Sequence, residues 1–183
     1  MTRRVLFLDR DGVINVDHAY VHRPAQTEWV PGVFDLVRRA RAAGLEAVVI
    51  TNQAGIARGY FDETCFLAYM DWVAEAFRLE GCPLLATYFC PHHPKEGIGD
   101  LKVECDCRKP APGMILRAAR ELDIDLANSW LVGDKAGDVE AGLAAGVGHN
   151  CLLLSPLYPP PEDLLRDSRV RIIRSLDELI RTS

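Results

Sequence analysis

The strongest constraint on this chain is the way short apolar runs alternate with amphipathic helical segments along its 183 residues. VLFLD at 5–9, LEAVVIT at 45–51, LLATYF at 84–89, SWLVGD at 129–134 and NCLLL at 150–154 have the length and composition of buried strands, and a closing strand and helix follow. Between the runs, Val33, Leu36, Val37 and Ala40 fall at helical spacing, opened by Pro31 and stopped by Gly44. Asp62 stands as the cap of a helix whose Phe66, Met70, Val73 and Phe77 share a face. MILRAARELD and the segment around AGDVEAGLAAG read as two more helices, and Ser175 with Glu178 has capping-box spacing for the last. Strands alternating with helices imply an α/β fold, a Rossmann-like three-layer sandwich around a mainly parallel central sheet, spanning 1–183 as one domain. Ligands in such sheets sit beyond the carboxyl ends of the strands. Asp9, Thr51, Cys90 and Asp134 each stand where a run gives way to loop, so polar chemistry gathers at one rim.

In FLDRDGVIN, Asp9 and Asp11 are two residues apart, a spacing that in extended backbone points both carboxylates the same way. Paired carboxylates repel unless a proton or a cation lies between them, and a hard divalent ion such as Mg2+ prefers oxygen ligands. A calcium loop is rejected, because Val13 and Ile14 stand where that loop needs Asp or Asn and then Gly. Alone, the acids could equally be solvated turn residues before Gly12.

FCPHHPKEGIGDLKVECDCRKP carries Cys90, His92, Cys105 and Cys107. Three thiolates and one imidazole complete a tetrahedral Zn2+ shell with no open position, which is a structural rather than a catalytic site. The alternatives are a disulfide from Cys90 to Cys105 or Cys107, unconnected thiols, or His93 in place of His92. A metal clip would order a long loop that has no periodicity of its own. Cys65, Cys82 and Cys151 read as core or partly buried thiols.

Three further segments complete a pattern: TNQAGIARG after the second run, CRKPAPGM before the fourth helix, and VGDKAGD after SWLV. With the acid pair they resemble the four motifs of the haloacid dehalogenase superfamily of phosphotransferases. That resemblance implies Asp9 as nucleophile, Asp11 as general acid and base, and Thr51 and Lys109 as holders of the phosphoryl oxygens. It implies Mg2+ bound by Asp9, the Asp11 backbone carbonyl and Asp134. Asp138 would bind the metal through water or orient Lys109 or Lys135. The spacings between motifs leave no room for a cap domain, so loops must read the substrate. LDRDGVINVDHAYVH, CPHHP and CDCRKPAPGM extend the likeness to the superfamily's histidinol-phosphatase-like subgroup. By position this implies a sugar phosphate substrate met by Asp17, His18, Ala19, Tyr20, Asn52, Gln53, Ala54 and Arg108, with Lys135 and Arg58 as further cations. An aminoalcohol phosphate is the alternative substrate. A second alternative is a zinc-loop binding module with a dead phosphatase core.

Composition speaks against that second alternative. With 21 Lys and Arg against 26 Asp and Glu and no basic run, the chain has no electrostatic footprint for nucleic acid or an anionic membrane. No apolar run approaches the roughly 20 residues of a membrane span, and Met1 to Arg4 leads straight into VLFLD without a signal-peptide core. The expectation is a cytoplasmic monomer with reduced thiols.

Overall fold

The computed structural model describes residues 2–180. Its elements are β1 (Arg4–Leu8), α1 (Val33–Ala42), β2 (Leu45–Asn52), α2 (Ala54–Ala57), α3 (Glu63–Leu79), β3 (Leu84–Cys90), α4 (Gly113–Leu122), β4 (Trp130–Gly133), α5 (Ala136–Ala145), β5 (His149–Leu153), α6 (Glu162–Arg166), β6 (Val170–Ile173) and α7 (Asp177–Ile180). The strands form one parallel sheet in the order β3-β2-β1-β4-β5-β6.

β1 shows why the sheet lies in the middle of three layers. Leu6 and Leu8 pack on one side with Val33, Leu36 and Val37 of α1 and Phe66, Met70, Val73 and Phe77 of α3. Val5 and Phe7 pack on the other with Met114, Ile115 and Ala118 of α4 and Ala141 of α5. Alternating side chains thus feed two cores, so a strand covered on both faces must be apolar at every position. The Asp62 side chain accepts a hydrogen bond from Cys65 N at 2.7 Å, capping α3 as its sequence implies. Among the described residues no helix is long and apolar enough to cross a membrane.

The strand order reverses direction between β1 and β4, and a crevice opens at such a switch point beyond the carboxyl ends. Asp9 follows β1 and Asp134 follows β4, so the topology alone brings these two acids together. Residues 9–32, with one 3-10 turn at Pro24–Gln26, connect β1 to α1, and Gln53 alone connects β2 to α2, so no cap domain is inserted at either place.

Candidate active site

Asp9 continues the ladder with one more bond, from its N–H to Val132 O at 3.1 Å, and its side chain is buried. Lys109 Nζ lies 2.9 Å from Asp9 Oδ1 and 2.6 Å from Asp138 Oδ1, and donates to Ile50 O at 2.8 Å. Burial alone would lower the Lys109 pKa, but Asp138 and Asp9 beside it hold the ammonium above its ordinary value. Asn52 fixes the lysine's backbone from both sides, donating through Nδ2 to Lys109 O and accepting from Lys109 N, each at 3.0 Å. Asp138 is spent in two directions. Besides its ion pair with Lys109, its Oδ2 accepts from Asp134 N and Lys135 N at 3.2 and 3.0 Å, capping α5. Of the partners the sequence offers it, Lys109 is the one its side chain pairs with.

Asp134 is the unsatisfied member. Both its carboxylate oxygens are buried without a hydrogen-bond partner among the described residues. Burial, then the nearby Asp9 charge, pushes its carboxyl up to about 8. An orphaned buried carboxylate costs free energy unless a cation meets it. Ligand atoms of Asp9, Asp134 and Asp138 lie within 4.8 Å of one another, and this all-oxygen set suits a hard ion such as Mg2+. Gly12 makes room for the arrangement: at φ +91° it occupies the left-handed region, and a Cβ there would stand 2.1 Å from Asp134 Oδ2.

Asp11 is positioned differently from its expectation. β1 ends at Leu8, so strand alternation does not carry Asp11 to the side of Asp9. Its carboxylate is instead held by a turn and by Arg10, whose Nη2 donates to both oxygens at 2.9 and 2.7 Å. Asn15 Nδ2 donates at 3.0 Å and Gln53 Nε2 at 3.4 Å. Arg10 itself is fully buried, donates to Val21 O at 2.6 Å, and lies over the rings of Phe66 and Tyr69 at 5.7 and 5.2 Å. Its role is absent from the sequence reading, since its aromatic partners lie on a helix far along the chain. Thr51, buried near the end of β2, accepts from Gln53 Nε2 at 2.8 Å.

Asp11 lies on the wall of an open cavity of about 300 Å3. Asp17, Ala19, Tyr20, Asn52, Gln53, Ala54, Arg108 and Lys135 also line it; His18 does not, pairing instead with Glu28 at 2.8 Å on the surface. Asp17 Oδ1 accepts from Ala19 N at 3.0 Å, steadying a turn in which Ala19 and Tyr20 both have positive φ. Burial opposes the charge of Lys135, but Asp9, Asp134 and Asp17 raise its pKa well above the ordinary value. Tyr158 completes the lining from a segment whose sequence carries no periodicity.

The sulfur atoms of Cys90 and Cys105 are 3.5 Å apart, and those of Cys105 and Cys107 are 3.3 Å apart. His92 Nδ1 is 3.5 Å from Cys107 Sγ and 3.8 Å from Cys90 Sγ. A tetrahedron of ~2.3 Å Zn–S bonds has edges of about 3.8 Å, so the four ligand atoms fit Zn2+, and the cysteines are free thiols rather than a disulfide. His93 is excluded from the set, since its Nδ1 accepts from Lys95 N and Glu96 N. The loop is tied to the TNQAGIARG segment by Ile98 N donating to Ala57 O and by an Arg58–Glu96 ion pair. Arg108 Nη1 donates back to His92 O at 3.2 Å.

These bonds locate what a metal on the four ligand atoms would fix. Lys109 keeps its own anchors in Asp9, Asp138, Ile50 and Asn52, whereas Arg108 rests on the metal loop. Chelation, or Cys107→Ser, is expected to raise KM several-fold while kcat changes less, the sign of lost substrate binding. Unchanged kinetics after metal loss verified by elemental analysis would exclude this role.

Comparison with known proteins gives a consistent picture. The family model described as HAD-hydrolase-like matches residues 106–178. The D-glycero-alpha-D-manno-heptose-1,7-bisphosphate 7-phosphatase of Burkholderia mallei is 50% identical over 153 residues, 84% of this chain and 81% of that protein. The D-glycero-beta-D-manno-heptose-1,7-bisphosphate 7-phosphatase of Vibrio cholerae is 49% identical over 153 residues, 84% of this chain and 82% of that protein. A crystal structure of D,D-heptose 1,7-bisphosphate phosphatase from B. bronchiseptica, complexed with magnesium and phosphate, matches with a TM-score of 0.79 at 32% identity, covering 98% of this chain and 99% of that one.

Proposed function

Because the chain belongs to the heptose-1,7-bisphosphate 7-phosphatase family of HAD-like hydrolases, we propose that it removes the 7-phosphate of D-glycero-D-manno-heptose 1,7-bisphosphate, a step toward the ADP- or GDP-heptose used in lipopolysaccharide core or related glycans. The observation that carries this reading is likeness to proteins of that name over 84% of the chain. The site supports it by supplying each group that phosphomonoester hydrolysis needs.

Asp9, Asp134 and the Asp11 carbonyl would hold Mg2+, which when bound would neutralise charge on the phosphoryl group. Asp9 attacks phosphorus, forming an aspartyl-phosphate as the bond to the sugar oxygen breaks. Asp11 gives its proton to the departing alkoxide, then takes one from the water that attacks the aspartyl-phosphate, releasing inorganic phosphate and restoring Asp9. Lys109 and the Thr51 hydroxyl hold the phosphoryl oxygens as charge spreads over them. Arg10 keeps the Asp11 carboxylate at the cavity wall between the two steps. Cys90, His92, Cys105 and Cys107 would hold Zn2+, which would fix the loop that carries Arg108 to the cavity wall.

An aminoalcohol such as histidinol phosphate would need an uncommitted acid in the cavity for its ammonium. Asp17 is the acid nearest to that requirement, but its two oxygens already accept from Ala19 N, Lys135 Nζ and the Tyr158 hydroxyl. Arg108 and Lys135 favour a substrate carrying more negative charge. The test is kcat/KM by phosphate release with Mg2+, using both C1 anomers of the heptose bisphosphate and histidinol phosphate. A ratio of about 100 or more for the better anomer, equivalent to roughly 2.7 kcal/mol of transition-state discrimination, is expected. A ratio below one would overturn the substrate assignment and leave the phosphoryl chemistry standing.

A further inference from the structure

The connection between β5 and α6 runs LSPLYPPP, with Pro156, Pro159, Pro160 and Pro161 around Tyr158. It is a stiff arm. Proline fixes its own φ and drives the residue before it out of the helical region, so Tyr158 is presented in a restricted backbone. Ser155 closes the turn, its carbonyl accepting from Tyr158 N at 3.3 Å and its Oγ from Leu157 N at 3.2 Å. The arm carries the Tyr158 ring onto the cavity wall, where its hydroxyl donates to Asp17 Oδ2 at 2.8 Å. Lys135 Nζ lies 4.3 Å from the centre of that ring and 3.3 Å from the same Asp17 oxygen.

The three residues come from three separate connections, and the tyrosine joins them. Lys135 directly follows Asp134, so its flexible ammonium sits within the field of the buried acids. A lysine drawn inward onto those acids would be lost to the substrate. The ring face of Tyr158 and the carboxylate of Asp17 offer it a competing position at the cavity wall. There, among the described residues, the ammonium makes one hydrogen bond, to Asp17, and two of its three N–H donors remain for substrate oxygens.

We infer that Tyr158 is a specificity-determining positioning residue, which holds Lys135 and Asp17 at the cavity wall so that they meet the hydroxyl- and phosphate-bearing part of the substrate that is not being hydrolysed. This rests on the proposed sugar-bisphosphatase reading and adds to it the source of recognition in a chain without a cap domain. Because the arm is stiff before substrate arrives, little ordering cost falls on binding.

The test compares the parent, Tyr158→Phe and Tyr158→Leu on heptose 1,7-bisphosphate and on acetyl phosphate, which has nothing to reach the arm. Tyr158→Leu removes ring and hydroxyl together. It is expected to lower the ratio of kcat/KM for the bisphosphate over acetyl phosphate by about tenfold, mainly through KM. Tyr158→Phe keeps the ring and is expected to lower that ratio by about threefold. Thermal melts verify that each variant is folded. Equal losses on both substrates would reveal a merely structural role, and an unchanged ratio would show that the arm reads nothing; either overturns the inference. The reading on which it rests is judged separately by the parent's preference over histidinol phosphate. Should the parent favour another phosphomonoester, the same ratio is taken with that compound, and an unchanged value still overturns the role of Tyr158.

Discussion

Asp9→Asn is expected to reduce kcat by at least about 10⁴-fold, because an amide cannot attack phosphorus to form the covalent intermediate. The variant should nevertheless fold. Its amide oxygen can still accept from Lys109 Nζ, which keeps Asp138 and Ile50 O as partners. In metal-free buffer it should be at least as stable as the parent, since the substitution removes one of the carboxylates crowded with Asp134 and Asp138. Stability sacrificed for activity is a common property of active sites. Phosphate release and thermal melts in chelator check both halves. Retained turnover in a preparation free of host phosphatase would overturn the nucleophile assignment, and a large fall in melting temperature would show that the Asp9–Lys109 pair outweighs the repulsion.

Lys109→Met should be damaging in a different way, because it removes both function and a structural charge. Methionine matches the length of the lysine stem but leaves Asp9 and Asp138 buried without their cation and removes one donor from Ile50 O. Breaking a buried pair by removing one partner costs about 3–5 kcal/mol. In a chain of this size that corresponds to a fall in melting temperature of roughly 6–20 °C. Activity should be lost as well, since the phosphoryl oxygens lose the ammonium that holds them. The double variant Lys109→Met/Asp138→Asn separates the effects: removing the second buried charge should recover part of the stability and none of the activity. A Lys109→Met protein as stable and active as the parent would exclude both roles.

Much of this is legible in the sequence, for physical reasons. A strand buried on both faces must be apolar throughout, so VLFLD, LEAVVIT and SWLVGD declare themselves without partners in view, and the three layers follow from their alternation with helices. Asp9, Asp134 and the cysteines are visible because strand ends and ligand spacings are local. What depends on meetings between distant segments is hidden. Arg10 is a charged residue buried against Phe66 and Tyr69, and no local pattern distinguishes it from a solvated arginine. The placement of Asp11 depends on where β1 stops, a boundary that shifts with hydrogen bonding and that decides whether strand alternation applies. His18 follows Asp17 in sequence yet turns away to Glu28, as neighbours in a turn often do. Tyr158 lies among prolines whose run has no period, so only the folded chain shows where its ring arrives.

The strand order also carries a consequence for how the molecule is made. β1 leaves the ribosome first, yet its place is between β2 and β4, whose pairing with it runs Leu6–Trp130, Phe7–Leu131 and Leu8–Val132. The Ser129 hydroxyl accepts from Val5 N across 124 residues of sequence. Until that stretch has been synthesised, the growing chain holds a half-sheet whose β1 edge is open as well as its β3 edge, a state in which strands are prone to find wrong partners. Contacts of such range are slow to form, because a long loop must close before they contribute. Asp9 and Asp134 therefore meet only when β4 docks, and the Mg2+ they would share arrives at a finished scaffold rather than seeding one.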